Sequence, residues 1–408
     1  KDFELRGDGN ITAAGEAGAS NARLSASSMD MLTALSLWPV GLAEDARIYL
    51  TRTIERGRLD RLDILAKIDE ATRADLFNDT PLPRDALLID VAASQTLYRP
   101  LEDFPPLEID AAQAKIDGRT LTITAPALAL EGPAKQRVTA TDARFAGGHS
   151  SGAGPSRVEF RIKGPAEPVF DLLDTPLLKK AIDLGDDLDI TKGAVDLKLA
   201  LGFPINAPVR INDVAATLSG SMSGVTIEGA VPNESITDVR ATLSFDRGEF
   251  AMKGDGRLLG AATGIEVKRG ANGVGEAALS IMLDEAARAK RGLPSGHALS
   301  GPTPVIITRV VGGAKPLPAK VDIDLARAAV NGVVPGWLKP AGRPGRVSFA
   351  YAPMTKSSDI ELQDFSAESA GFALKGVVTL NSNNALRAAK FSQARLSPGD
   401  DARIDWER

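Results

Sequence analysis

The sequence has no cysteine and only two histidines, and both shortages narrow the chemistry that it can support. Without cysteine there are no disulfides, thiolate nucleophiles or cysteine metal ligands, which fits either the cytoplasm or a bacterial periplasm. His149 and His297 lie far apart, each in surroundings rich in Gly and Ser. We expect both to be exposed loop residues, because a metal site or catalytic triad would need partners that the sequence does not indicate.

Neither sign of charge dominates the sequence. Lys and Arg number 48 and Asp and Glu number 53, which gives a net charge of -5. A nucleic-acid binder needs a concentrated basic field, and this chain has no long Lys/Arg run with interleaved aromatic residues. We therefore expect no nucleic-acid partner.

Long apolar runs are also missing. None approaches the roughly 20 residues that a membrane-spanning helix needs, and no signal peptide is recognisable. The sequence opens on Lys1 and continues with strand-like sequence to its last residues, so we interpret it as a piece of a longer polypeptide. Aromatic residues make up only 5% of the chain, so aliphatic residues must supply most of its buried surface.

The sequence is rich in alternating apolar and polar residues, the pattern of a strand with one apolar face. Residues 157–163 and 195–201 alternate without a fault, and Asp117-Gly118 is one of several short turn signals. We count about 25 such strands, separated by Gly- and Asn-containing turns. The pattern predicts an all-β fold with one long, continuous, mostly antiparallel sheet. Sheets of more than about ten strands normally curl or split, so strong curvature is expected.

Helical patterns are few. The best lies at 39–57, with Pro39 near its start, acidic residues in the first turn and Gly57 as a terminator. A second covers 168–185 and restarts at Pro176, and a weaker one covers 283–290. We expect two or three short helices.

The serine in Gly148-His149-Ser150-Ser151-Gly152 formally matches the nucleophile elbow of hydrolases. That chemistry requires a strand, a sharp turn and then a helix that holds the serine. Here Gly154 and Pro155 are followed by strand-like sequence, which favours a loop. We expect no catalytic role for Ser150.

Two further clusters resemble binding motifs only superficially. Four aspartates lie close together without the spacing of a calcium loop, which favours a solvated turn: Asp183, Asp186, Asp187 and Asp189. Gly254-Asp255-Gly256 has the wrong spacing for a dinucleotide loop, and no βαβ pattern surrounds it. We therefore predict no enzymatic activity, no metal and no cofactor.

Three segments resemble the AsmA-like superfamily of Gram-negative envelope proteins, in particular its YhdP-type alphaproteobacterial branch. The first is 37–47, which is similar to a Trp-Pro helix of that family, although Tyr49 stands near a position where tryptophan is common. The second comprises 164–177 and 193–205, and the third is 322–340 with Gly336-Trp337. Together they span about residues 35–405, and their order and spacing agree with the family.

The resemblance implies a curved sheet that forms an elongated groove with an apolar interior. It implies a non-enzymatic periplasmic bridge that carries phospholipid between inner and outer membrane and supports outer-membrane integrity. The membranes would be reached by parts of the parent chain outside this sequence, including an N-terminal inner-membrane helix. We expect two groove segments, 1–155 with a helix near 39–57, and 156–408. The family has no known catalytic residues.

Apolar residues on one phase of their strands are the predicted lining of the groove. They are Val158, Phe160, Ile162, Val195, Leu197, Leu199, Leu201, Val209, Ile211, Leu243, Phe245, Ile265, Val267, Val321, Ile323, Leu325, Val347 and Phe349. A lipid chain costs about 0.8 kcal/mol per methylene to expose to water, so a conduit must present a continuous apolar wall. Two alternatives stay open: the same faces could form a β-sandwich core, and the chain could be an assembly scaffold for outer-membrane proteins.

Overall fold

Strands account for most of the chain in the computed structural model. It describes residues 3–10, 18, 20–38, 44–70, 72, 82–102, 104–118, 120–133, 135–148, 156–184, 189–203, 214–231, 234–290, 293–312, 317–333, 337–353, 359–381 and 385–407. Five helices lie within these ranges: α1 Met31–Ser36, α2 Glu44–Thr53, α3 Ala166–Leu173, α4 Pro176–Ala181 and α5 Glu285–Lys290.

Twenty-five strands lie in the described ranges. The first thirteen are β1 Glu4–Asn10, β2 Ser20–Asp30, β3 Ile54–Ile68, β4 Leu87–Tyr98, β5 Leu107–Asp117, β6 Thr120–Glu131, β7 Arg137–Gly148, β8 Ser156–Pro165, β9 Asp189–Thr191, β10 Ala194–Phe203, β11 Ala215–Val231, β12 Glu234–Asp246 and β13 Glu249–Leu258. The others are β14 Ala261–Arg269, β15 Gly275–Leu283, β16 Leu299–Ser300, β17 Thr303–Val311, β18 Ala319–Asp324, β19 Ala329–Asn331, β20 Leu338–Lys339, β21 Gly345–Pro353, β22 Ile360–Ser369, β23 Phe372–Leu380, β24 Leu386–Arg395 and β25 Ala402–Glu407.

Hydrogen bonding assigns 22 of these strands to one sheet, and β16, β19 and β20 to a small second sheet. The pairings are antiparallel, and most join strands that are consecutive in the sequence, such as β13 with β14 and β23 with β24. The predicted all-β fold with a long antiparallel sheet is confirmed. The described residues contain five helices instead of the two or three expected.

The chain divides into two compact units. The first comprises residues 1–183, 194–221 and 245–247, and the second comprises 184–193, 222–244 and 248–408. The position 155/156, at which we expected one groove segment to end, lies inside the first unit. There it falls between β7 and β8, which pair with each other in antiparallel register.

The first unit contains an antiparallel meander from β1 to β8, which β10 extends by pairing with β8. Several of its strands carry bulges. Ser28, Gln95 and Asp142 have positive φ angles of 59°, 50° and 54°, and the register with β8 shifts between Thr141 and Arg144. Because a bulge bends its strand and increases the local twist, these strands are bent rather than flat.

Helices cover two parts of the first unit. Helix α1 packs on β2 and β3, where Met31 and Leu35 join a buried cluster with Met29 and Leu59. Asp30 caps α1, because its carboxylate accepts a hydrogen bond of 3.0 Å from the Thr33 N–H. Helix α3 contacts β7, β8 and β10. These contacts bury the apolar sides of both helices.

In the second unit β13, β14, β15, β17, β18 and β21 to β25 pair in succession. The segment after β18 folds over this meander and supplies Leu325, Val330 and Trp337 to a buried cluster. Phe372 and Leu374 of β23 form the floor of that cluster. This unit therefore has one part of its sheet covered by its own chain.

The predicted helices are present in shorter form. The helix expected at 39–57 is described from Glu44 to Thr53, and residues 39–43 lie outside the described ranges. The predicted terminator Gly57 is wrong, because residues 54–57 already belong to β3. The expected segment 168–185 contains α3 and α4, with the predicted break before Pro176. Helix α5 matches the weak pattern at 283–290, whereas α1 was not predicted.

Candidate functional site

Apolar side chains line up across the sheet of the first unit. Starting from Ala26, each residue of the row lies opposite the next one on the neighbouring strand. The first apolar row consists of Ala26, Leu62, Val91, Ala114, Ile123, Phe145, Val158 and Leu201. Residues that are directly opposite in an antiparallel pair point to the same face. The row is therefore a continuous apolar strip that crosses eight strands.

The first apolar row is accessible along most of its length. Ala26 is buried under α1, and the half-buried Leu62 and Val91 pack against the same cluster. The other five members are half-buried outside that cluster. A residue in a closed core would lose nearly all of its contact with solvent. The five members from Ala114 to Leu201 are adjacent in space and form an apolar surface that keeps part of its contact with solvent.

The opposite face of the same strands is charged. Asp90 lies between two cations, with its carboxylate 3.0 Å from the Arg61 guanidinium and 3.6 Å from Lys115 Nζ. Arg161 donates from Nε to Asp196 at 2.6 Å, and this hydrogen bond lowers the pKa of the Asp196 carboxyl. The face opposite the first apolar row thus carries ion pairs that the row itself lacks.

A second apolar row crosses ten strands of the second unit. It consists of Gly254, Ile265, Leu279, Ile307, Val321, Phe349, Phe365, Gly376, Phe391 and Ile404. Ile265 and Leu279 are buried at one end, whereas the apolar members from Ile307 to Phe391 are half-buried. Ile404, on the last strand, is 36% exposed. The row therefore becomes more accessible towards β25.

Three phenylalanines form the most apolar part of the second row. The ring of Phe365 lies between those of Phe349 and Phe391, at centroid distances of 6.4 and 6.0 Å. Gly376 pairs with both Phe365 and Phe391. A Cβ atom at Gly376 would collide with the Lys390 carbonyl, so only glycine fits this close approach of the strands.

Part of the apolar face in the second unit is covered. Trp337 stacks on Phe372 in the cluster that includes Ala367, Leu374 and Ala394. Ala367 is opposite both Val347 and Leu374, so this covered strip runs beside the second apolar row. The covered strip lies along one side of the apolar face, and the three phenylalanines of the second row lie at the border of that strip.

The structure divides the predicted lining residues into two groups. Eight are buried: Ile162, Val195, Leu197, Leu199, Leu243, Phe245, Ile265 and Leu325. Eight are half-buried: Val158, Phe160, Leu201, Val267, Val321, Ile323, Val347 and Phe349. Val209 and Ile211 lie outside the described residues. Four of the half-buried residues belong to the apolar rows, namely Val158, Leu201, Val321 and Phe349.

The predicted lining residues are nearly fully buried where β8 and β10 meet. Ile162 and Leu197 are paired across these strands and are only 3% and 0% exposed. Because the opposite face carries Arg161 and Asp196, the apolar side of α3 packs on the face that carries Leu197. This patch is a core under α3 rather than an open surface.

Most of the half-buried row members were not predicted from the sequence. Leu62, Val91, Ile123 and Phe145 were not among the predicted lining residues, although residues 121–124 alternate clearly. Phe365 and Phe391 were also missed, because bulges interrupt the alternation of their strands. These residues share a row only through the register between paired strands, which the sequence of a single strand does not show.

For several motifs the sequence predicted no function. Where the structure describes these motifs, they lie in turns or strands. His297 is exposed in a turn, as expected, and Gly254-Asp255-Gly256 lies within β13 rather than in a loop. Asp189 is exposed at the start of β9. His149, Ser150, Asp186 and Asp187 lie outside the described residues.

Comparison with family models, curated proteins and solved structures finds no match to this chain. The AsmA-like resemblance therefore stays a prediction. Among the described residues, no helix is long and apolar enough to cross a membrane. The same residues contain no cluster of three or more His, Asp or Glu side chains arranged to hold a metal ion.

Proposed function

We propose that this chain binds phospholipid acyl chains along its apolar rows and acts as a non-enzymatic lipid conduit. The observation that carries the proposal is the first apolar row, in which seven successive half-buried apolar residues cross neighbouring strands. An acyl chain gains about 0.8 kcal/mol for each methylene that it buries, whatever its position along such a strip. A uniform aliphatic wall therefore holds a lipid without fixing it in one place.

The charged opposite face supports the same function. Its cross-strand ion pairs, such as Arg61 with Asp90, keep that face hydrated. Lipid would therefore be confined to one side of the sheet. The resemblance to AsmA-like proteins supports a location in the periplasm and a path between inner and outer membrane, reached through other parts of the parent chain. The alternative, an assembly scaffold, requires no bound lipid.

Native mass spectrometry of the purified chain, with lipid extraction, tests the proposal. Ile123 and Thr124 are neighbours in β6. Ile123 is half-buried in the apolar row, whereas Thr124 is exposed on the opposite face. We expect phospholipid to co-purify with the wild type and with Thr124→Asp, and to be depleted severalfold in Ile123→Asp. A folded wild-type chain without lipid, or equal lipid in both variants, would support the scaffold instead.

A further inference from the structure

A cleft lies at one end of the sheet in the first unit. Three segments line it: 99–105 between β4 and β5, 131–133 after β6, and 172–180 at the junction of α3 with α4. Because the strands are antiparallel, the end of β4, the end of β6 and the end of β8 before α3 lie at the same side. The volume of the cleft is about 650 Å³, within the range of about 300–1,000 Å³ that is usual for small-molecule sites.

Hydrogen bonds fix two of the segments that line the cleft. The Gly132 N–H donates to the Gln136 carbonyl at 2.8 Å and closes the turn after β6. The Thr175 hydroxyl donates to the Leu172 carbonyl, also at 2.8 Å, where α3 meets α4. The cleft is therefore formed before a ligand enters it, which reduces the entropic cost of binding.

The lining of the cleft combines apolar and charged side chains. The apolar ones are Phe104, Pro105, Pro133, Leu172 and Pro176. The charged ones are Arg99, Glu102, Glu131 and Lys180. A ligand that matches this lining carries an anionic group, a cationic group and an apolar part.

Arg99 is held in place and still has donors for a ligand. Its Nε donates to the Glu55 carboxylate at 2.7 Å, and its Nη1 donates to the Phe104 carbonyl at 3.2 Å. A guanidinium has five N–H donors, so these two hydrogen bonds leave others unused. Guanidinium donors suit the oxygens of a phosphate group in particular.

The other three charged side chains of the cleft are exposed. Within the described part of the chain, Glu102, Glu131 and Lys180 take part in no ion pair or side-chain hydrogen bond. No protein group therefore competes with a ligand for these charges.

We propose that this cleft binds a phosphoethanolamine group, as carried by the headgroup of a phospholipid. The lipid as the source of this group rests on the proposed function. Arg99 and Lys180 bind the phosphate, and the carboxylates of Glu102 and Glu131 accept hydrogen bonds from the primary ammonium. The apolar side chains cover the glycerol backbone and the first methylenes of the lipid.

The charges of the cleft select against other headgroups. A primary ammonium has three N–H donors, whereas the quaternary ammonium of choline has none and a glycerol headgroup has no cation. Choline sites are typically cages of several aromatic rings, and Phe104 is the one aromatic residue among the described residues that line this cleft. The cleft therefore favours ethanolamine over choline and glycerol.

Isothermal titration calorimetry with short-chain lipids below their micelle concentrations tests this selectivity. Dihexanoyl phosphatidylethanolamine, phosphatidylcholine and phosphatidylglycerol share their acyl chains, so the apolar rows contribute equally to their binding. We expect the wild type to bind the ethanolamine lipid about tenfold more tightly than the others, the effect of one hydrogen bond to a charged group. Equal affinities for the three lipids would overturn the proposal.

Substitutions at exposed positions locate the selectivity in the cleft. The double variant Glu102→Gln with Glu131→Gln should bind the ethanolamine and choline lipids equally. Lys180→Met should bind the ethanolamine lipid severalfold more weakly than the wild type does. Glu167→Gln, at an exposed position of α3 outside the cleft, is the matched control and should keep the wild-type preference. A preference that survives in the double variant would contradict the assignment.

Glycerophosphoethanolamine, which has the same headgroup without acyl chains, separates the cleft from the apolar rows. We expect it to bind the wild type measurably, but more weakly than the short-chain ethanolamine lipid does. If lipids bind but glycerophosphoethanolamine does not, the cleft proposal is wrong while lipid binding at the rows stands. If glycerophosphoethanolamine binds as tightly as the lipid, the acyl chains add nothing, which contradicts a lipid as the source of the group.

Discussion

Trp337 lies flat against Phe372, with ring centroids 4.5 Å apart and an interplanar angle of 3°. Its indole Nε1–H donates a hydrogen bond of 2.9 Å to Ser369 Oγ on β22. One tryptophan therefore fixes the segment after β18 onto two neighbouring strands of the second unit. The cluster around this contact is bordered by Phe365 and Phe391 of the second apolar row.

Removal of this indole should weaken the second unit. Trp337 is 4% exposed, and truncating a buried aromatic residue to alanine costs about 3–5 kcal/mol. We expect Trp337→Ala to lower the free energy of unfolding by that amount in urea denaturation. The adjacent Leu338 is 73% exposed, so Leu338→Ala serves as the control and should change little. Equal stability of Trp337→Ala and wild type would show that the segment is not anchored by Trp337.

Arg288 is buried without an acidic partner in the described residues and should act as a hub for the loop after α5. Its guanidinium donates to the carbonyls of Leu283, Pro294, Leu299 and Gly301, and to the Thr303 hydroxyl, at 2.9–3.2 Å. Replacement by methionine leaves these buried acceptors unpaired.

We expect Arg288→Met to cost more than about 3 kcal/mol, because each buried polar group left unpaired costs about 1–3 kcal/mol. Arg288→Lys should recover only part of the loss, because an ammonium offers three donors instead of five. Lys290→Met, at an exposed position of the same helix, is the control. Urea denaturation and hydrogen exchange of residues 293–303 measure the effect. A neutral Arg288→Met would refute the hub.

Tyr98 should resist ionisation in the folded chain. Burial raises its pKa above the ordinary value of 10.0, and so does the neighbouring Tyr49, whose hydroxyl is 2.5 Å from that of Tyr98. An unfolded chain releases this phenolic proton near pH 10, whereas the folded chain keeps it. The contribution to stability is therefore present below pH 10 and is lost as pH rises above it.

Absorbance titration at alkaline pH measures this directly, with Tyr98→Phe as the comparison. While far-UV circular dichroism stays native, the wild type and Tyr98→Phe should give the same ionisation curve. The extra phenolate of the wild type should appear only as the strands unfold. An extra phenolate at pH 10 in folded wild-type protein would contradict the prediction.

Leu199 distinguishes a closed core from an accessible surface. It is 4% exposed, is opposite Phe160, and lies in the strand that α3 covers. A buried, unpaired carboxylate is among the most destabilising single changes. We expect Leu199→Asp to lower stability by more than about 4 kcal/mol and Ile123→Asp to cost clearly less. Lys198→Ala, at the adjacent exposed position, is the control in thermal unfolding. Equal losses for Leu199→Asp and Ile123→Asp would mean that both sites are core.

The sequence predicted the strands better than it predicted their surfaces. Alternation such as that of residues 157–163 depends only on the strand period, and the expected strand is present as β8. The same pattern could not distinguish the buried Leu199 from the accessible Leu201, because burial there depends on α3, which is contributed by a different part of the chain.

Bulges limited the prediction of the candidate site. Phe365 and Phe391 belong to one row only because the register shifts around them, near Asp364 with its φ of 49° and near Gly376. A bulge changes which residues share a face, so the two-residue period of a strand no longer predicts the face on which a residue lies. Helix α1 was likewise not predicted, although the equally short α4 and α5 were.

The most direct test of lipid binding places a photocrosslinking amino acid on each face of the sheet. Ile123 and Phe365 are half-buried in the first and second apolar rows, whereas Thr124 and Lys390 are exposed on the opposite faces of their strands. After irradiation of the chain expressed in a Gram-negative cell, mass spectrometry identifies the covalently attached molecules. We predict phospholipid adducts at Ile123 and Phe365 and none at Thr124 and Lys390. Adducts at none of the four positions, or equally at all of them, would contradict the account of an apolar lipid-binding face.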